Sequence, residues 1–233
     1  MRTLLPRWLY LGLTLGGWYL GRELSAVLQR AIGFEQLVTS REWQTLLGHW
    51  FVWQGPQVLV MLGLWVVGVR LQLMPPVRTA FGSGGSWKRV LSSGLLATAV
   101  LLAVTVGIGG AMGGKFGWYP NPAKVAGDLV SNLYEELVHR CVLFCAFYVA
   151  ATGVTFPMTR EASLSRLGVA FAGVGSSIMF AAGHAQYPLG LRVFMAVLSL
   201  AAWVWPWVRA RSVWAPWISH TLGDVVGDTI LKL

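Results

Sequence analysis

The stretch VAGDLVSNLYEELVHRCVLFCAFYVAA, residues 125–151, decides how the rest of the chain is read. It exceeds the roughly 20 apolar residues needed to cross a bilayer's hydrocarbon core, yet it contains Asp128, Glu135, Glu136, His139 and Arg140. A charge costs about 2.5 to 3.5 kcal/mol to insert into a membrane helix, so charges persist there mainly where they have partners and a task. Helical spacing sorts these groups. Glu136 and Arg140 are four residues apart, share a face and can pair. Glu135 is turned about 100° from Glu136, so the two carboxylates diverge and cannot readily share one proton. With Arg140 neutralising Glu136, Glu135 is left available for proton transfer.

The surrounding sequence makes this a membrane protein. Of 233 residues, 55% are hydrophobic and 12% charged, about half the charge of an ordinary soluble domain. That excludes disorder, coiled coils and most soluble enzymes. Further apolar runs lie at about 4–21, 46–69, 90–112, 167–185, 189–208 and 213–231. The expected fold is all-α: a polytopic membrane helical bundle of six to seven transmembrane helices. It forms a single membrane domain over residues 1–233, with a catalytic core at 125–231. The runs are continuous rather than alternating, which argues against a barrel. The first run lacks a small-x-small cleavage site and reads as a retained helix. Residues 22–45 mix charged and apolar side chains, as an interfacial amphipathic segment would, and Pro56 predicts a kink in the second span.

The net charge of +9 comes from 18 Lys and Arg against nine Asp and Glu. Most of the cations lie at the ends of apolar runs, where they reach lipid phosphates. No basic run with interleaved aromatics occurs, so the expected partner is the lipid bilayer and not nucleic acid. Many of the 13 Trp, including Trp8, Trp18, Trp43, Trp50, Trp87, Trp118, Trp214 and Trp217, are near span ends and predict an interfacial belt. Basic residues in alternate loops favour a cytoplasmic N-terminus by ten to seven. Cys141 and Cys145 read as small buried hydrophobes.

Two other helices carry the polar groups that could meet Glu135. His184 ends the run at 167–185, and His220, Asp224 and Asp228 recur every four residues in the last run as one stripe. His139 reads equally as a neighbour of the site or a packing residue, while His49 reads as interfacial and Asp128 has no special claim. Taken together, Glu135-Glu136-Leu137-Val138-His139-Arg140, Phe180-Ala181-Ala182-Gly183-His184 and His220-Thr221-Leu222-Gly223-Asp224 fit E-E-x-x-x-R, F-x-x-x-H and H-x-x-x-N/D, in order. In this the chain resembles the CPBP family, the CAAX-protease and bacteriocin-processing intramembrane glutamic endopeptidases. The resemblance covers about residues 125–230.

The resemblance implies glutamate-dependent hydrolysis of a peptide bond, with no cofactor and no metal. It gives Glu135 the role of general base, His184 that of helping it hold and activate water, and His220 and Asp224 that of stabilising the oxyanion. Glu136 and Arg140 would shape the site and Phe180 would pack beside His184. One departure is Asp224, where many members have Asn. An ionised Asp repels an oxyanion, so either Asp224 carries a proton or it orients His220 while other donors complete the hole. The implied substrate is a membrane-anchored protein or peptide; the Arg- and Trp-rich composition favours a bacterial inner membrane, and in that setting a sorting enzyme similar to the myxosortases is one form. The alternatives are a zinc-dependent membrane protease, using His184, His220, Asp224 and Glu135 as ligands, and a non-catalytic immunity or transport protein.

Overall fold

The computed structural model describes residues 5–32, 54–82, 86–111, 113–118, 122–159 and 162–232. The first long helix, α1 (Leu5–Ala31), packs against α2 (Gly55–Arg70) as a hairpin. A short α3 (Val77–Ala80) leads to α4 (Trp87–Ala111). Next, α5 (Pro122–Glu136) runs without a break into a π-helical stretch, Leu137–Phe144, and then into α6 (Cys145–Thr152). After it come α7 (Arg166–Gly183) and α8 (Leu189–Ser199). A second π stretch, Leu200–Val204, joins α8 to α9 (Trp205–Ala210), and α10 (Trp214–Ile230) closes the bundle against α4.

The architecture is the expected all-α membrane bundle. Among the described residues, Trp87–Ala111, Arg166–Gly183 and Leu189–Ala210 are long and apolar enough to cross a membrane, and Gly55–Arg70 is apolar but shorter. The polar groups on α5 and α10 lower the hydropathy of those two helices. Outward faces carry Leu59, Leu167 and Val197, which are 72%, 75% and 62% exposed. In a bilayer this apolar surface meets acyl chains. The core is centred on the π stretch, every residue of which is buried. There Phe144 and Tyr148 pack on Phe156, and Phe156 stacks on Trp207 at 5.7 Å.

Local chemistry explains the element ends. Ser165 caps α7 by accepting from the Gly168 amide at 3.1 Å, and Gly153, at φ 76°, stops α6 in the left-handed conformation that glycine adopts without steric cost. Arg211, also left-handed at φ 54°, turns the chain into α10. It ties down the preceding loop by donating to the carbonyls of Pro157, Thr159 and Ala162. Gly94 lets α4 approach α10 closely, since a β-carbon there would come within 2.9 Å of the Ala215 carbonyl oxygen and the Ile218 side chain.

Several sequence readings are corrected. Residues 22–31 belong to α1 itself and not to a separate interfacial segment, because nothing between Gly21 and Ala31 breaks the helix. Pro56 starts α2 instead of kinking a longer span, consistent with its missing N–H, which costs nothing in a first turn. Residues 125–151 are not one regular α-helix, since a π stretch begins directly after Glu136. Trp8, Trp87 and Trp118 are exposed, as a belt requires, but Trp18 is only 6% exposed and faces the interior. A two-residue antiparallel ladder, β1 (Lys115–Phe116) with β2 (Leu231–Lys232), also ties the loop after α4 to the C-terminal end. Cys141 and Cys145 are buried free thiols, as expected. The readings at His49, Trp43 and Trp50, the rest of the 22–45 segment, and the 46–53 part of the second span lie outside the described residues.

Candidate active site

Helix α5 and the π stretch that continues it present two polar faces, offset by about one residue of rotation. Ser131, Glu135 and His139, spaced by four, line a cavity of about 280 Å³ together with His184. Asn132, Glu136 and Arg140, also spaced by four, face inward and are fully buried or nearly so. The divergence expected of the two adjacent carboxylates is real, and a single imidazole spans it. His220 on α10 donates from Nδ1 to Glu136 Oε1 at 2.9 Å, while its Nε2 lies 3.9 Å from Glu135 Oε2 and 3.6 Å from Asp224 Oδ2. Both Nε2 distances exceed a hydrogen bond, leaving Nε2 between two carboxylates and free to engage a third group.

Glu136 is held from two sides. Arg140 Nε approaches its other oxygen at 3.3 Å, with both side chains fully buried. Arg140 in turn donates to Ser199 Oγ at 3.0 Å and to Ser176 Oγ at 3.5 Å, and Ser199 is bonded to Ser177 at 2.8 Å. The chain of contacts therefore runs from hydroxyls on α7 and α8 through Arg140 and Glu136 to His220. A buried ion pair is tolerable only when its remaining donors and acceptors are satisfied; the hydroxyls serve the two terminal nitrogens of Arg140, while Arg140 Nε and Glu136 Oε2 have only each other, at 3.3 Å.

Phe180 is the hub of the aromatic packing. Its ring centroid lies 4.6 Å from His184, 5.3 Å from His139 and 5.9 Å from His220, and the Arg140 guanidinium is over its face at 5.7 Å. Trp203, in the second π stretch, tilts over His220 at 4.4 Å. Backbone carbonyls set the imidazole tautomers. His184 donates from Nδ1 to the Phe180 carbonyl at 2.9 Å, and His139 donates from Nδ1 to the Glu135 carbonyl at 2.9 Å. Each neutral ring then has its Nε2 lone pair available. His139 Nε2 is buried and makes no hydrogen bond among the described residues.

The fold thus brings together Glu135, Glu136, Arg140, Phe180, His184, His220 and Asp224: Glu135 and His184 line one cavity, and the His220 ring lies between Glu135, Glu136 and Asp224. The side chain of Asp228 lies outside the described residues. Several polar neighbours were not singled out from sequence. Gln54 donates to Glu135 Oε1 at 3.3 Å and to Ser131 Oγ at 2.9 Å, and Asn132 donates to Asp224 Oδ2 at 3.0 Å. Uncharged polar residues are common enough in spans to give little signal. The four-residue spacing of Asn132 from Glu136 was the one clue available. Among the described residues, no three His, Cys, Asp or Glu side chains group as a metal site.

Residues 123–226 match the family described as type II CAAX prenyl endopeptidase Rce1-like. These residues form a CPBP-family domain. The class of enzyme follows: a CAAX-protease-type membrane endopeptidase. No curated protein and no solved structure matches the chain. The CPBP domain contains every residue of the three motifs, whereas α1 and α2, which supply Gln54 and much of the cavity wall, lie outside it.

Proposed function

We propose that the chain is a glutamate-dependent intramembrane endopeptidase that hydrolyses a peptide bond in a membrane-anchored protein or peptide. The observation that carries this reading is the shared cavity, where the Glu135 carboxylate and the His184 ring face the same space. His184 Nδ1–H is committed to the Phe180 carbonyl, so a water there meets two acceptors, a Glu135 oxygen and His184 Nε2. Glu135 takes a proton from that water as its oxygen bonds to the scissile carbonyl carbon. The same proton then passes to the leaving nitrogen as the C–N bond breaks, giving a carboxylic acid and an amine.

The developing oxyanion needs a donor. His220 donates from Nδ1 to Glu136, so it supplies one through Nε2–H in its imidazolium form, which carries a proton on both nitrogens. Of the two roles open to Asp224, the contacts favour that of orienting group. It accepts from Asn132 and lies 3.6 Å from His220 Nε2, so it steers that ring instead of donating. Asn132 gives one amide hydrogen to Asp224 and retains a second, which makes it a further donor for the hole. Glu136 and Arg140 shape the site, and Phe180 packs against His184.

The bacterial inner membrane is the setting that the Arg- and Trp-rich composition favours, and a sorting role similar to that of the myxosortases falls within it. The test compares membrane and secreted proteins of cells carrying the wild type or Glu135→Gln. Substrates that accumulate unprocessed with the variant support the proposal, and identical processing by both overturns it.

A further inference from the structure

The cavity that holds Glu135 and His184 has a second wall, built by helices outside the matched domain. Trp18, Arg22, Ser25 and Gln29 fall on one face of α1, and Gln54 and Gln57 come from the start of α2. This wall is polar and, apart from Arg22, neutral. Amide and hydroxyl side chains both donate and accept, which suits the alternating N–H and C=O groups of an extended peptide. Arg22 is the one cation on it. Its guanidinium lies over the Trp18 ring at 5.0 Å, half-buried, and among the described residues no carboxylate pairs with it within ion-pair distance. Gly183, next to His184, leaves room for it, because a β-carbon there would stand 2.9 Å from Arg22 Nη1.

We propose that the α1–α2 hairpin is the substrate-binding wall and that Arg22 anchors a carboxylate of the bound peptide, fixing how far from that carboxylate the scissile bond lies. The proposal rests on the reading of this cavity as the peptide site. A planar guanidinium binds a carboxylate through two parallel hydrogen bonds, and stacking on Trp18 holds the fork ready, so less freedom is lost on binding. The carboxylate has two possible sources, the terminal carboxylate of the peptide or an Asp or Glu side chain.

The test uses Glu135→Gln protein in nanodiscs and three pools of random decapeptides. The first has a free C-terminal carboxylate and no acidic residues. The second is its C-terminal amide, and the third is an amidated pool with one Asp. Peptides retained by the protein are quantified by mass spectrometry. The expected result is retention of the first or third pool over the second by about tenfold, the effect of one charge-assisted contact, and the winning pool identifies the source. Adding Arg22→Gln abolishes the preference, adding Gly183→Ala weakens it, and adding Arg22→Lys keeps part of it, with all variants melting like the parent. Equal retention of the three pools, or a preference that survives Arg22→Gln, overturns the proposal. Cleavage of the pools by the Glu135→Gln protein instead counts against the proposed catalytic role of Glu135, while the ratio of pools still reports on Arg22.

Discussion

Replacing Arg140 by Met tests the buried polar chain behind the site. In the native protein Arg140 contacts Glu136 at 3.3 Å, Ser199 at 3.0 Å and Ser176 at 3.5 Å, with no solvent exposure. Methionine fills much of the volume but donates nothing, which leaves the Glu136 carboxylate buried with only His220 as a partner. Breaking a buried pair from one side costs about 3 to 5 kcal/mol, most of it the penalty of the charge left behind. The assay is reversible unfolding in mixed detergent micelles, comparing Arg140→Met, Glu136→Leu and the double variant. Because the cost lies in the unpaired charge, the double variant should recover at least about 1 kcal/mol relative to the sum of the singles. A loss below about 1 kcal/mol for Arg140→Met, or strict additivity, would refute the reasoning.

Four further outcomes follow from the geometry. Asp224→Asn keeps cleavage within a few-fold of wild type, because an amide still accepts from Asn132, whereas Asp224→Leu lowers kcat by tenfold or more; steady-state kinetics on an identified substrate checks both. Gly94→Val forces α4 away from the Ala215 carbonyl and destabilises the bundle by about 1 to 3 kcal/mol, as read by the same unfolding assay. Trp203→Leu removes the ring lying 4.4 Å from His220 and lowers kcat with little change in KM, since it disturbs the orientation of His220 and not the cavity wall. Treatment with strong chelators leaves cleavage unchanged, because the proposed chemistry runs through a carboxylate and two imidazoles.

The site was legible where charge stood inside apolar sequence. Glu135, Glu136 and Arg140 announce themselves because burying them is costly without compensation, His184 because it ends an apolar run, and His220 because it heads a stripe with Asp224 and Asp228. The relation between Glu135 and Glu136 followed from 100° of rotation per residue. The π stretch after Glu136 is not legible, because Leu137–Phe144 is buried all round and its two polar residues, His139 and Arg140, keep the four-residue spacing of the helix before them, so nothing reveals the extra residue per turn. Arg22 and Trp18 were misread for a related reason. A cation and an indole near the end of an apolar run look interfacial, and only the packing of α1 against α2 and the end of α7 turns them inward. Ser176, Ser177 and Ser199 gave no signal, since small hydroxyls are ordinary in membrane helices. Their part appears only once Arg140 lies between α7 and α8.

The most direct test of the account is the single-turnover rate of peptide cleavage by purified Glu135→Gln protein in nanodiscs, measured beside wild type on the same substrate. Glutamine preserves the shape of the side chain and the Gln54 contact but cannot take a proton from water. The account predicts a rate lowered by at least about a hundredfold, the usual contribution of a positioned general base, with an unchanged melting curve. Cleavage within tenfold of wild type would contradict it.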